Sequence, residues 1–400
     1  METLNRKYNI TARKSDFIYI GFLLFLFLLL TEFFFRQTVR YAGVYNSDTY
    51  VYAKGSDSLS GIRLIVIIFN ALRSINGQTY EIAAFMALVV IATILACYKL
   101  ISLLLERDGL TLERWKIQGL SLIGFFCGPI WMPVLYEHFY KLTWARYAWH
   151  SPTQQLMTLF AVITIIMLIN VYDGYMDEIK PGQWAGLTIM AFCSAWSKPN
   201  FIFALAPLVI VIMIKGLFTK TDYSFGRRLC RVIILGSSMI PAGIYTIVQS
   251  MVESSGAGGS ISLNPGYFLK QSENPVLMIF LSIAFALVVY VFNLKSLKTC
   301  AHQIICGLFL VSVAESVLFV ESGWMINHGN LNWGRDCGTF ILFLGAISLA
   351  VRNYKDKTFL AERPVLRRIY FIVLLVLIAA HVISELVYLQ LVIRGHLYRM

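Results

Sequence analysis

Phe17-Ile-Tyr-Ile-Gly-Phe-Leu-Leu-Phe-Leu-Phe-Leu-Leu-Leu-Thr-Glu32-Phe-Phe-Phe35 is an unbroken run of Phe, Leu and Ile with one acid near its end. A helix needs about 20 apolar residues to cross a hydrocarbon core, so this block predicts a transmembrane helix. Arg6, Lys7, Arg13 and Lys14 precede it, and no small-residue cleavage site follows, so it reads as an anchor rather than a removable signal. Beyond it the chain turns polar and aromatic: Arg36, Arg40, Tyr41, Tyr45, Asn46, Asp48, Tyr50, Tyr52 and Lys54. A carboxylate among tyrosines just outside a membrane suits a sugar-handling base or a cation site. The same residues also compose an ordinary solvated loop.

The rest of the chain repeats the opening pattern. Its 400 residues are 58% hydrophobic and 14% charged, where soluble domains carry about 25% charged residues. Continuous apolar runs, rather than alternating ones, exclude a transmembrane β-barrel reading. About eleven spans are expected, near 17–35, 81–104, 117–136, 154–172, 185–197, 202–218, 232–250, 276–293, 303–320, 339–351 and 369–390. The expected fold is an all-α polytopic membrane helix bundle forming one domain over 1–400. Between the first two spans, 36–80 is expected to be a long outer loop with interfacial helices, because Leu64 to Leu72 is apolar but too short to span. The segment 251–275 is rich in Gly and Ser and expected to be a flexible outer loop.

A formal charge of +12 raises the question of nucleic acid. The basic residues lie in short loops between apolar runs rather than on one face, which argues against that partner. Most of the 34 Lys and Arg fall on one side if the N-terminus is inside and the C-terminus outside. That asymmetry is the bias of cytoplasmic loops, and it places the chain in the inner (plasma) membrane as a multi-pass protein. Seven cysteines show no metal spacing and their odd number rules out complete pairing, so they read as small buried hydrophobes.

With this orientation the chemically interesting residues gather on the outer side. Trp149-His150-Ser151-Pro152-Thr153 opens a span; Ser151 or Thr153 can cap the helix and Pro152 suits its first turn, but none of this requires His150. Ser197-Lys198-Pro199-Asn200 is a short hairpin carrying a lysine close to hydrocarbon. Snorkelling accounts for such a lysine, and so does phosphate binding. Glu321-Ser-Gly-Trp-Met-Ile-Asn-His328-Gly-Asn330-Leu-Asn-Trp-Gly-Arg335 offers ring faces for stacking and amides for hydroxyls. An interfacial aromatic belt explains its Trp residues but not His328 and Arg335. Glu315, inside a span, is a costly intramembrane acid and so a functional candidate. Glu32 and Glu385 lie near outer helix ends, where water is expected to reach them.

A long first outer loop with an acid near its start, many spans and outward-facing cations resembles the GT-C superfamily of integral membrane glycosyltransferases. The His-Ser-Pro-Thr and Lys-Pro-Asn-Phe pieces, with the Glu…His-Gly-Asn…Trp-Gly segment, are similar to a branch of uncharacterised bacterial membrane proteins of that type. The resemblance implies a catalytic base in the first loop, here Asp48, and a polyprenyl-phosphate-linked sugar as donor. Many relatives pair two acids in this loop, whereas Asp48 has Ser47 and Thr49 beside it and its next acid is Asp57.

The expected function is sugar transfer from a polyprenyl-phosphate carrier to a cell-envelope glycan or lipid acceptor, inverting the anomeric centre. Asp48 would take the acceptor's proton. Tyr45, Tyr50, His150, Lys198, Asn200, Glu315, Glu321, His328, Asn330 and Arg335 are the expected substrate-binding residues, with Lys198 and Arg335 on the leaving phosphate. The scheme requires no cofactor, and no residue pattern argues for a divalent cation. The alternatives are a transporter or flippase of lipid-linked glycans and an O-antigen-type polymerase using pyrophosphate-linked donors.

Overall fold

The computed structural model describes residues 2–39, 47–54, 63–76, 79–132, 149, 151–219, 222–257, 261–270, 272, 274–321 and 331–394, with 2–14, 76 and 253–257 described by backbone alone. It is an all-α polytopic bundle. Helix α1 (Glu2–Val39) contains the opening apolar run. Two shorter helices, α2 (Thr49–Lys54) and α3 (Leu64–Asn76), separate it from α4 (Tyr80–Arg107). Then follow α5 (Arg114–Phe125), α6 (Pro152–Tyr172), α7 (Pro181–Ser197), α8 (Asn200–Phe218), α9 (Phe225–Ser237) and α10 (Ile240–Ala257). Strand β1 (Ile261–Leu263) and a single turn, α11 (Tyr267–Lys270), lead into α12 (Pro275–Phe292). After a 3-10 turn at Leu294–Lys298 come α13 (Cys300–Leu318), β2 (Phe319–Glu321), α14 (Asn332–Lys355) and α15 (Pro364–Arg394).

Among the described residues eight helices are long and apolar enough to cross a membrane, and nine if α9 and α10, bent by 46°, count as one. The peripheral helices show what surrounds the bundle. Phe17, Ile18, Leu24 and Phe25 of α1, with Ile369, Leu375 and Val376 of α15, are exposed. Large exposed apolar surface of this extent fits acyl chains rather than water.

Four expected spans differ: 185–197 falls in α7, which is not among the eight, 232–250 is broken between α9 and α10, and two others depart as follows. The span at 117–136 is a helix only as far as Phe125, after which 126–132 is non-helical. Backbone groups inside a bundle must find partners, and these do: Gly128 N–H donates to His381 O (3.4 Å), Ile130 N–H to Leu281 O (3.0 Å) and Trp131 N–H to Ser384 Oγ (3.0 Å). His381 Nδ1 in turn bonds Gly128 O at 2.5 Å. The short span at 339–351 is the middle of α14, which begins at Asn332 and is buried without interruption from Trp333 to Leu349. Its polar first turns hide its membrane length from hydropathy. Packing against α4, α5, α6, α8, α12 and α13 makes α14 the axis of the molecule, as its all-round burial requires.

The expected flexible segment 251–275 also carries regular structure. Strand β1 pairs antiparallel with β2 in the register Ile261↔Glu321, Ser262↔Val320 and Leu263↔Phe319. Asn264 N–H and Gly266 N–H then donate to Leu318 O and Val317 O (2.9 and 2.7 Å), satisfying carbonyls that the end of α13 leaves free. Gly266, at φ 76°, takes the left-handed turn that this approach needs.

Hydrogen bonds sort the helix termini into two ends. At one end Thr38 of α1 donates to Thr79 before α4 (3.1 Å), and Gln37 donates to the carbonyl of Trp149 before α6 (2.8 Å). At the other end Arg114 of α5 meets Asp16 of α1 (3.3 Å), Arg107 at the end of α4 pairs with Asp173 after α6, and Lys215 of α8 donates to Gln303 of α13 (2.7 Å). The chain therefore runs up and down, and the first end gathers the starts of α4, α6, α8 and α14 with the finishes of α1, α7 and α13.

Candidate functional site

Proline sets the local geometry at that first end. The residue before a proline is driven out of the helical region. Lys198, before Pro199, is extended (φ −162°, ψ 126°) and ends α7, and α8 starts two residues later. Ser151, before Pro152, is extended likewise (φ −113°, ψ 105°) and launches α6. Two X-Pro steps thus bring the beginnings of α6 and α8 to the same end of the bundle as the beginning of α14.

Glycine lets them touch. A Cβ on Gly334 would lie 2.7 Å from the carbonyl oxygen of Asn200 and 3.4 Å from Glu315 Oε2. One on Gly338 would overlap Ser312 Oγ. Two small residues four apart therefore seat α14 on α8 and α13, as small-residue pairs do between membrane helices. From the other flank Gln154 Nε2, in the first turn of α6, donates to Trp333 O at 3.4 Å.

Lys198 sits at this junction with its Nζ 3.1 Å from the centroid of the Trp333 ring, and it is only 9% exposed. Such cation–π contacts reach about 2 kcal/mol when desolvated. The ammonium is held inside and does not snorkel. Arg335 is also buried, at 6% exposure, and is an interior residue of α14 rather than part of an outer loop. Its Nη2 and Nε donate to Asp336 Oδ1 (2.9 and 3.2 Å), and Nη1 donates to Asn332 Oδ1 (3.0 Å). Asp336 supplies a countercharge that the sequence reading did not use.

Glu315 lies in the last turn of α13, where both carboxylate oxygens are buried and neither has a hydrogen-bond partner among the described residues. Oε1 of Gln154, which is 1% exposed, and the Thr339 hydroxyl are likewise buried without a hydrogen-bond partner among the described residues. Asn200, the first residue of α8, is buried.

The Asp48 turn belongs to the same end. Ser47 Oγ donates to Gln37 Oε1 (2.8 Å), and Gln37 donates onward to Trp149 O, so buried hydroxyl and amide groups tie the turn to the entry of α6. Asp48 itself is exposed, with its carbonyl accepting from Tyr52 N–H (3.1 Å). Tyr50 is half-buried with Lys54 Nζ 4.5 Å from its ring centroid. Glu321 is half-buried in β2. The structure thus brings Lys198, Asn200, Glu315 and Arg335 together around the start of α14. Tyr45, His150, His328 and Asn330 lie outside the described residues.

The chain matches no family model, no curated protein and no solved structure.

Glu385 corrects an expectation. It is fully buried and accepts from Trp149 Nε1 at 2.8 Å, because the chain at 126–132 and Trp149 close over it. Glu32, by contrast, is exposed and paired with Arg36 at 2.7 Å. The opposite end of the bundle has its own polar knot, with Arg352 donating to Asn293 Oδ1 (2.9 Å) and Ser296 Oγ (2.5 Å) and lying 3.7 Å from Asp108. Burial pushes the Asp108 carboxyl above its ordinary range, and the Arg352 guanidinium pulls it back. Two residues of the first end escaped the sequence reading although signals for them exist: Gly334 in Gly334-Arg-Asp-Cys-Gly338, and Asp336 beside Arg335. Gln154 carried no signal of its own.

Proposed function

We propose that this multi-pass membrane protein is a glycosyltransferase that moves a sugar from a polyprenyl-phosphate carrier to a cell-envelope glycan or lipid acceptor. The observation that carries the reading is Lys198: a buried ammonium fixed against Trp333 where α6, α8 and α14 all begin. Helix N-termini present unpaired N–H groups and partial positive charge. A lysine among them adds a point charge suited to phosphate. A lipid phosphate entering from the membrane would bring negative charge to this ammonium and to the helix starts around it.

In this scheme the donor's phosphate rests against Lys198, which offsets charge as the sugar departs. Arg335, already held by Asp336 and Asn332, orients the first turn of α14 and contributes less charge than a free guanidinium. Asp48, exposed and tied to α6 through Ser47 and Gln37, accepts the proton of the attacking hydroxyl. General-base help of this kind is worth about 10²–10⁴-fold. One-step displacement inverts the anomeric carbon. The N-inside, C-outside orientation puts this end on the outer face of the inner membrane.

The test uses the purified full chain in lipid vesicles with polyprenyl-phosphate hexoses and an envelope extract as acceptor. Release of free polyprenyl phosphate is measured. Lys198→Gln is expected to lower turnover by about tenfold or more, since about 1.4 kcal/mol of transition-state stabilisation is already a factor of ten, and Asp48→Asn to abolish it. Near-normal turnover in Asp48→Asn would move the base elsewhere, and no release by the wild type would refute the transferase.

A second reading, a transporter or flippase of lipid-linked glycans, draws support from the non-helical segment 126–132 inside the bundle beside buried Glu385. Non-helical backbone at membrane depth lines the pathways of many transporters. It predicts movement of an intact lipid-linked glycan between leaflets without release of the carrier.

A further inference from the structure

His381 of α15 is fully buried, and both of its ring nitrogens are engaged. Nδ1 lies 2.5 Å from Gly128 O, and Nε2 lies 3.3 Å from the backbone nitrogen of Phe285 in α12. A carbonyl oxygen only accepts and a peptide N–H only donates. Nδ1 therefore carries the proton and Nε2 is bare, so the two partners fix one neutral tautomer of the imidazole. Phe343 of α14 stands edge-on to the ring, with centroids 4.7 Å apart.

These bonds join three separate pieces of chain. Gly128 belongs to the non-helical segment 126–132, and its N–H donates back to His381 O (3.4 Å). Pro129 follows and has no N–H to offer. Ile130 is buried against Leu281 and Ala284 of α12, with Leu377 and Ala380 of α15 packed around it. Trp131 N–H donates to Ser384 Oγ, three residues beyond His381. The segment also covers Glu385, since a Cβ on Gly128 would overlap its Oε2. The His381 ring is thus a bridge from this segment to α12.

A charged imidazole cannot keep that bridge. An imidazolium carries N–H on both nitrogens, so Nε2–H would face the Phe285 N–H, donor against donor. The surrounding elements bring little charge to offset it. Segment 126–132 and α12 contain no charged residue. On α14, Arg335 and Asp336 pair with each other, and Arg352 and Lys355 lie in the last turns. Glu385, one turn along α15, already accepts from Trp149 Nε1. Cys127, Tyr290, Cys337, Tyr370 and Tyr388 on these elements are of types that stay neutral in acid. The closed arrangement therefore holds the ring without its second proton, and an open one lets the ring take it. Falling pH favours the form that binds more protons, here the open one.

From this we infer that His381 is a proton-operated latch: its neutral ring holds 126–132 closed between α12 and α15, and acid releases the segment from Glu385. The latch is independent of the transferase reading.

The experiment measures backbone hydrogen exchange in the purified full chain in lipid nanodiscs from pH 8 to pH 4, corrected for the chemical exchange rate at each pH. In the wild type, protection of 126–132 is expected to fall in acid. One extra proton bound by the open form makes that fall approach about tenfold per pH unit below about pH 6.5, the ordinary value for histidine. The middle of α6, which His381 does not touch, should keep its protection. His381→Gln retains an amide donor and acceptor but cannot be charged, and its 126–132 should stay protected at pH 4. Glu385→Gln should still open in acid.

Protection of 126–132 that does not change with pH in the wild type would overturn the latch. So would an equal acid response in His381→Gln, or a response lost only in Glu385→Gln, which would give the proton to the carboxyl. Should His381→Gln fail to fold, nitrogen NMR of the wild type decides, with the ring assigned through His381-Val382, the only His-Val step in the chain. The ring should be protonated on Nδ1 alone at pH 8 and gain its second proton as the segment opens. A proton on Nε2 at pH 8 would refute the latch.

Discussion

Arg335 shows how a single residue changes meaning once its neighbours are known. By position in the chain it is an exposed loop cation. In the bundle it is buried against Asp336, which is 2% exposed. A buried pair contributes little net stability, but breaking it leaves an uncompensated charge that costs about 3–5 kcal/mol. Arg335→Gln is therefore expected to lower the melting temperature and the yield of folded protein, and Arg335→Gln with Asp336→Asn to recover most of the loss. Thermal melts of the two purified variants decide the matter. A single variant as stable as the wild type would show that Arg335 is not a structural cation. Lys198→Gln, by contrast, removes the ammonium from the Trp333 ring, and under the proposed function its effect is expected in turnover.

Among elements, the decisive contact is the seam that α14 makes with α8 and α13. Its two glycines differ in what they face. A Cβ on Gly334 meets the backbone oxygen of Asn200, which cannot move without shifting α8, whereas a Cβ on Gly338 meets the Ser312 hydroxyl. Overpacking of this sort costs about 1–3 kcal/mol. Both Gly334→Ala and Gly338→Ala should destabilise the protein, but Ser312→Ala should rescue only Gly338→Ala. Melting curves of the wild type, the three single variants and the two doubles form the cycles that measure this coupling. Rescue of Gly334→Ala by Ser312→Ala would contradict the seam geometry.

At the scale of the whole molecule, the proposed outer-face function depends on sidedness. Asp48 and Ser224, the residue that caps α9, lie at opposite ends of the bundle by the up-and-down run of the helices. In a chain with exposed Cys230 replaced by serine, a cysteine at Asp48 should react with an impermeant thiol reagent added to intact cells. A cysteine at Ser224 should react only after the membrane is opened. The reverse pattern would place the Lys198 site on the cytoplasmic face and remove the envelope acceptor from the proposal.

The sequence by itself determined that this is a helical, multi-pass membrane chain, because hydrocarbon admits few ways to bury a backbone and a long apolar run such as Phe17–Phe35 meets one of them. It also located the two helix breaks that build the site, since proline in Lys198-Pro199 and Ser151-Pro152 acts on its own neighbour and needs no distant partner. It marked Lys198 and Glu315 as costly residues near hydrocarbon. Tertiary structure alone decided what those residues meet. Trp333 under Lys198 and Trp149 against Glu385 each required segments far apart in the chain to pack, and the same packing buries Asp336 with its neighbour Arg335. Hydropathy misjudged α14 for the same reason: its first turn, Asn-Trp-Gly-Arg-Asp, is polar in composition, yet it is buried because α6, α8 and α13 supply its partners. Local propensity is written residue by residue, whereas the partner of a buried charge is a property of the assembled bundle.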